Sequence, residues 1–264
     1  MILRTLLTLA LLTSPSLAHD TWVETNTNLV RTGDAIYVDL KLGNHGNDHR
    51  DFKLASKIDL ESCTLSVIAP NGQDYDLKPS VVDTGYAPKE GYWKAKFVGA
   101  EPGLYLAVHT LDKVVNHGKA IRALKSGKTY FVVSDSLDNV SFTSPGFEKP
   151  LGHPLELVPT LNPVTPMGPG QEIAVQLLLH GKPLAGATVS FVPRSETLKE
   201  GFDENYERKT DEEGRASFTP KTGDQYLAVV HHREPEASGE GFEATAYSAT
   251  LTIFVPEVCP CCQE

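Results

Sequence analysis

The chain has 264 residues and carries 24 basic against 34 acidic side chains. Its net charge of -10 argues against nucleic acid and anionic lipid as partners and mildly favours cations. The length accommodates two domains of roughly 100 residues, each able to bury a core. Beyond the first eighteen residues, no stretch is apolar enough for a membrane helix, so the sequence predicts no membrane span after the leader is removed.

The first eighteen residues have the pattern of a secretory leader. Arg4 provides the positive start, residues 6–12 form an apolar run too short to cross a bilayer, and Ser16 and Ala18 are the small residues before the cut. We therefore predict a signal peptide and a periplasmic or secreted protein. Cleavage would make His19 the first residue, which then offers an α-amine and an imidazole that together chelate nickel, copper or zinc.

The chain after the leader is patterned for short strands. Residues 21–30 predict a first strand, and in residues 35–42 the apolar Ile36, Val38 and Leu40 alternate with polar side chains, as in a half-buried strand. Further strands are predicted at residues 63–68, 92–98, 129–133, 173–179, 187–192, 215–218 and 246–255.

Two parts of this pattern have more than a local meaning. Residues 105–109 read Tyr-Leu-Ala-Val-His, and the same Tyr-Leu-Ala-Val order returns at 226–229 with His231 close behind. A Tyr at such a position often braces a corner in immunoglobulin-like sandwiches, and the repetition about one domain apart indicates two related sandwiches. Residues 120–125 are ambiguous and are compatible with one turn of helix.

A proline-rich segment separates the two repeated strands. Seven prolines between residues 144 and 170 exclude a long helix and favour an extended connector, while Leu155, Leu157 and Val158 indicate that it packs on a domain. The predicted fold is all-β, with two tandem antiparallel immunoglobulin-like β-sandwiches joined by this connector. The predicted boundaries are 1–18 signal peptide, 19–143 N-terminal sandwich, 144–170 connector, 171–256 C-terminal sandwich and 257–264 Cys-rich tail.

Two resemblances extend this prediction. Residues 181–189 (GKPLAGATV), 210–216 (TDEEGRA) and 226–227 (YL) resemble the carboxypeptidase-regulatory-like, transthyretin-like sandwich, which implies a fold and not a function. A leader followed by His19-Asp20, with Trp22 shortly after, resembles an uncharacterised exported family related to periplasmic components of nickel and cobalt uptake. This second resemblance implies metal handling in partnership with a membrane metal transporter.

The candidate metal ligands are histidines. We expect His19 to bind through its amine and ring, together with one or more of His109, His117, His153 and His231, which lie at strand ends or in loops. Imidazole and amine donors suit nickel, cobalt, copper or zinc as the bound transition-metal ion.

The cysteines leave two interpretations open. Cys259, Cys261 and Cys262 form either a soft-metal thiolate site or part of a disulfide, and Cys63 is a partner for one of them in an oxidising compartment.

Two other functions remain as alternatives to metal handling. An adhesive or carbohydrate-binding module would use exposed aromatic side chains such as Trp22 or Trp93 as stacking platforms. A copper-dependent mono-oxygenase would use an N-terminal His, which is the one specific argument for catalysis. Because no hydrolase or transferase motif is found, the sequence favours a binding protein over an enzyme.

Overall fold

The computed structural model describes residues 19–43, 60–85, 90–116, 118–141 and 145–257, which form strands and two 3₁₀ turns without any α-helix. The all-β prediction is confirmed. The strands are β1 Asp20–Thr25, β2 Leu29–Arg31, β3 Ala35–Gly43, β4 Cys63–Ile68, β5 Asp74–Asp76, β6 Val82–Asp83, β7 Trp93–Val98, β8 Gly103–Asn116, β9 Ala120–Ser134, β10 Leu155–Pro159, β11 Ile173–Leu179, β12 Lys182–Pro183, β13 Thr188–Pro193, β14 Glu207–Lys209, β15 Arg215–Phe218, β16 Asp224–Glu234 and β17 Ala244–Val255. The 3₁₀ turns are Leu60–Ser62 and Lys78–Ser80.

These strands form three sheets. The N-terminal sheet has the order β1-β3-β7-β6, and the C-terminal sheet has β10-β11-β12 with β15 also paired to β11. The long sheet has the order β14-β13-β16-β17-β9-β8-β4-β5, with β2 also paired to β9. Strand β10 comes from the proline-rich segment, and its Leu155, Leu157 and Val158 are buried, as the sequence predicts for a segment that packs on a domain.

The long sheet serves both sandwiches, and the two cores lie on its opposite faces. Because side chains alternate across a strand, Tyr105 and Phe131 join the core under the N-terminal sheet, while Leu106 and Tyr130 join the core under the C-terminal sheet. The halves meet where β9 pairs with β17 in parallel, from Ile121 alongside Ala244 to Thr129 alongside Thr252. This parallel contact makes the two sandwiches share one continuous hydrogen-bonded sheet.

The repeated tyrosines do brace corners. The hydroxyl of Tyr105 donates to the carbonyl of Glu101 at 2.9 Å, and the hydroxyl of Tyr226 donates to the carbonyl of Thr222 at 3.1 Å. Each bond spans four residues and ties a strand start to the turn before it. The two halves of the chain therefore use the same device at equivalent strands, β8 and β16.

Two local expectations need correction. Residues 120–125 are strand and not a helical turn, because β8 and β17 lie on either side and satisfy the backbone groups of β9. In β3, Ile36, Val38 and Leu40 are buried as predicted, but the polar Asp39 and Lys41 on the other side are buried too. Ion pairs with Lys94 and Glu24, both at 2.6 Å, make this burial tolerable.

Among the described residues we find no helix with the length and hydropathy required to cross a bilayer.

Candidate functional site

Strand β1 connects the two sandwiches, and the candidate site lies at its first residues. Its backbone pairs with β3 of the N-terminal sheet. Trp22 is fully buried and packs against Val192, Leu227 and Val229 of β13 and β16 in the second sandwich. The next residue of the strand, Val23, belongs to the N-terminal core. The strand that follows the predicted cleavage site is thus fixed between the two halves of the protein.

A buried carboxylate next to Trp22 strengthens this connection. Glu24 forms ion pairs with Lys41 at 2.6 Å and with Arg194, and it accepts a hydrogen bond from the Trp22 indole at 3.1 Å. Burial raises the pKa of Glu24, but the two cations and the indole outweigh that effect and leave the pKa below its ordinary value. Glu24 therefore stays ionised and joins β1 to Arg194 of the second sandwich.

The first residues of β1 meet β16 and β9 through charged groups. The ring Nε2 of His231 lies 2.8 Å from Asp20 Oδ1, and the ammonium of Lys125 donates to the carbonyl of His19. Burial raises the pKa of Asp20, but His231 and Lys125 more than reverse this and leave it lowered. The Asp20 charge in turn raises the pKa of His231, whose side chain is 56% exposed.

The contact with Asp20 also selects a tautomer of His231. When His231 is neutral, Nε2–H donates to the carboxylate, so Nδ1 carries the lone pair. Within the described part of the chain, no other hydrogen bond to this ring is present. A carboxylate behind an imidazole is the arrangement that commonly orients metal-binding histidines in proteins.

Both ring nitrogens of His109 are used in hydrogen bonds, so neither is available to bind a metal ion. Its Nδ1 lies 2.8 Å from the carbonyl of Thr64, and its Nε2 lies 3.0 Å from the hydroxyl of Thr21. The carbonyl only accepts, so Nδ1 carries the proton and Nε2 accepts from Thr21. Burial lowers the pKa of His109 to about 4, which keeps the ring neutral. This histidine is a buried link between β1, β4 and β8.

His153 belongs to the other face of the long sheet. It precedes β10, which packs on the face away from β1, and its backbone N–H donates to Glu156 at 3.1 Å. Burial and the nearby Lys128 lower its pKa. Its Nδ1 is buried without a hydrogen-bond partner among the described residues. His153 and His231 are therefore separated by the sheet.

The four predicted histidine ligands that the structure describes lie in three different places: His19 with His231, His109 alone, and His153 alone. His19 and His231 lie at one end of β1, with Asp20 and Lys125, whereas His109 and His153 do not join them. Among the described residues, no group of three or more His, Cys, Asp or Glu side chains gathers as a metal site. His117, Cys259, Cys261 and Cys262 lie outside the described residues.

Three residues, Cys63, Lys125 and Asp20, have structural surroundings that the sequence did not reveal. Cys63 is buried in β4 beside Leu111 and Ala123. Lys125 was not singled out from the sequence, and its contact with His19 joins residues 106 positions apart. Asp20 was part of the sequence pattern at the leader, but its role as the partner of His231 depends on the fold.

Comparison with known proteins identifies a family. A family model described as a domain of unknown function, DUF4198, matches residues 16–234. No curated protein matches the chain at a significant level.

Several solved structures resemble the chain at low identity. Escherichia coli alpha-2-macroglobulin activated by porcine elastase is 16% identical, with a TM-score of 0.27 over 90% of this chain and 20% of that one. A DUF4785 family protein from Legionella pneumophila is 13% identical, with a TM-score of 0.29 over 79% of this chain and 51% of that one. The ectodomain of mouse nectin-like molecule 4 is 10% identical, with a TM-score of 0.22 over 90% of this chain and 64% of that one.

The chain spans less than two thirds of each of these three proteins. Likenesses at this level do not extend to function. The family match is different in kind, because it covers most of the sequence in a single alignment. From residue 16 to residue 234, this chain belongs to the DUF4198 family.

Proposed function

We propose that the protein is exported and binds a transition-metal ion, nickel, cobalt or copper, at the start of β1, and that it serves metal uptake or handling. The ligands in this proposal are the α-amine and ring of His19, freed by removal of residues 1–18, and Nδ1 of His231. The observation that supports it best is the 2.8 Å contact between Asp20 Oδ1 and His231 Nε2.

That contact supports the proposal because it prepares an imidazole for coordination. The carboxylate of Asp20 accepts from Nε2–H, fixes the ring and increases the basicity of Nδ1. Residue 19 is adjacent to Asp20 in the chain, so a new α-amine would arise at the same end of β1. The described side chains alone do not assemble three ligands, and the proposal therefore requires the processed N-terminus.

Two local features set the strength and pH dependence of this site. The ammonium of Lys125, close to Asp20 and His231, opposes a second cation, although burial lowers its pKa. Because Asp20 raises the pKa of His231, protons compete with metal for this ring. Affinity should increase as the pH rises through the pKa of His231 and of the α-amine.

The test is titration calorimetry with Ni²⁺ and Cu²⁺ on protein that begins at His19. The comparison is the same protein with one Gly added before His19. The free α-amine then belongs to the added Gly, and His19 no longer carries both the amine and the imidazole. We expect the added residue and His231→Gln each to weaken binding at least tenfold. The control is His232→Gln, because the His232 ring lies near Tyr247 on the other side of β16.

Circular dichroism verifies that each variant is folded. The proposal is refuted if the extended and the processed proteins bind both ions equally well. Binding that is lost only when Cys259, Cys261 and Cys262 are replaced by Ser would assign the metal to the tail and also refute the site at β1.

A further inference from the structure

A cleft lies on the face of the long sheet away from β1. It has a volume of about 540 Å³. Its floor is formed by β8, β9 and β17, and its walls by the segment before β10, by His180 and by the segment between β16 and β17 that contains Phe242. This volume is within the usual range of roughly 300–1,000 Å³ for small-molecule sites.

The floor of the cleft presents paired hydrogen-bonding groups from β8 and β9. Arg122 Nε donates to Asp112 Oδ1 at 2.8 Å, and Arg122 Nη2 donates to Asp112 Oδ2 at 2.6 Å. These bonds use two of the five guanidinium N–H donors and part of the acceptor capacity of the carboxylate. Both side chains are partly exposed, by 40% and 54%. The pair therefore offers fixed donors and acceptors side by side without a net charge.

Four of the other lining residues carry aromatic rings, namely His153, His180, Phe242 and Tyr247. The Phe242 ring lies 5.8 Å from the guanidinium carbon of Arg122, and the ring of Tyr247 meets the His180 ring edge-on at 5.6 Å. The Tyr247 hydroxyl donates to Glu234 at 2.7 Å, so its oxygen can otherwise only accept, and His180 Nε2 already lies 3.5 Å from that oxygen. Flat apolar surfaces thus stand next to polar groups that are already oriented.

Charge helps to select the class of ligand. The charges of Asp112 and Arg122 cancel. Lys125 also belongs to the lining, but its ammonium is bound to the carbonyl of His19, on the β1 side of the sheet. An anionic ligand would meet the Asp112 carboxylate, and a purely apolar ligand would desolvate the ion pair without replacing its hydrogen bonds to water. A neutral ligand with hydroxyls along its edges and C–H groups on its faces fits both kinds of surface.

The geometry points to a binding site for a neutral carbohydrate of one or two sugar rings, with Arg122 and Asp112 bonding ring hydroxyls and Phe242 and Tyr247 contacting the sugar face. This inference does not depend on the metal site, which lies on the opposite face of the sheet.

The test is calorimetric titration of the full mature chain, in the presence of EDTA, with methyl glucoside, methyl galactoside, methyl mannoside, maltose, cellobiose and chitobiose. EDTA separates this binding from any metal effect. We expect at least one of these sugars to bind, and Phe242→Ala and Arg122→Met each to weaken its binding by about tenfold or more. Lys119→Met is the matched control, since its exposed ion pair with Glu243 at 3.7 Å lies outside the lining.

Three results would overturn the inference. The first is no binding of any of the six sugars at millimolar concentration. The second is binding that neither Phe242→Ala nor Arg122→Met changes while both variants keep the wild-type circular dichroism spectrum. The third is a preference for galacturonate or octanol over every neutral sugar, which would replace the ligand class with an anion or an apolar molecule.

Discussion

Replacing Glu156 with Gln tests the most deeply buried ion pair of the described residues. Glu156 and Lys128 are in contact with side chains 1% and 2% exposed. The carboxylate also accepts backbone N–H groups of Leu151 at 2.7 Å, Gly152 at 2.9 Å and His153 at 3.1 Å. In the E156Q variant, the Lys128 ammonium stays buried while its counter-charge is removed.

The expected loss is large because a buried charge without its partner is costly. Breaking such a pair from one side destabilises a protein by about 3–5 kcal/mol. For a chain of this length that corresponds to a decrease in melting temperature of roughly 6–20 °C. The reverse variant, Lys128→Met, should cost less, since the three backbone donors continue to stabilise the Glu156 carboxylate.

Urea denaturation followed by circular dichroism, supported by calorimetry, gives both free energies of unfolding. The reasoning is refuted if E156Q loses less than about 1 kcal/mol, or if Lys128→Met is the more damaging of the two changes.

Two further predictions concern buried and surface histidines. The pKa of His109 is about 4 in the folded protein, below the pKa of a histidine in the unfolded chain. Between these two pKa values the unfolded chain binds more protons than the folded protein. The free energy of unfolding should therefore fall as the pH decreases through that range. The loss amounts to roughly 3 kcal/mol by pH 4, and a His109→Gln variant should lack this slope in urea titrations at several pH values. Asp20→Asn should lower the pKa of His231 as measured by NMR, with a stability loss below about 1 kcal/mol because the ring is largely exposed. That loss of stability should be seen below the unfolded pKa of His231 and disappear as the pH rises through its folded pKa. If Asp20→Asn leaves the pKa of His231 unchanged, the role of Asp20 is contradicted.

The alternatives to metal handling are affected unequally by the fold. Trp22 is fully buried, so it is not a surface on which a sugar could stack. Trp93 packs partly buried against the N-terminal core. Two aromatic residues suited to contact a sugar lie elsewhere, at Phe242 between β16 and β17 and at Tyr247 in β17, and no sequence pattern singles them out.

The sequence by itself determined the features that arise from local chemistry. Alternation located β3, with Ile36, Val38 and Leu40 buried as predicted. The turn before each repeated strand located the bracing tyrosines, because that hydrogen bond spans only four residues.

The tertiary structure alone decided which distant groups meet. His231 reaches Asp20 across 211 positions, and His109 reaches Thr21 across 88, so similar sequence surroundings produced one exposed ring and one buried neutral ring. Periodicity specifies that a residue lies on a face of a strand, but not which strand covers that face. Which strand covers which face is decided by the parallel pairing of β9 with β17 and by the position of β1 across both sandwiches. The same arrangement separates the predicted histidines.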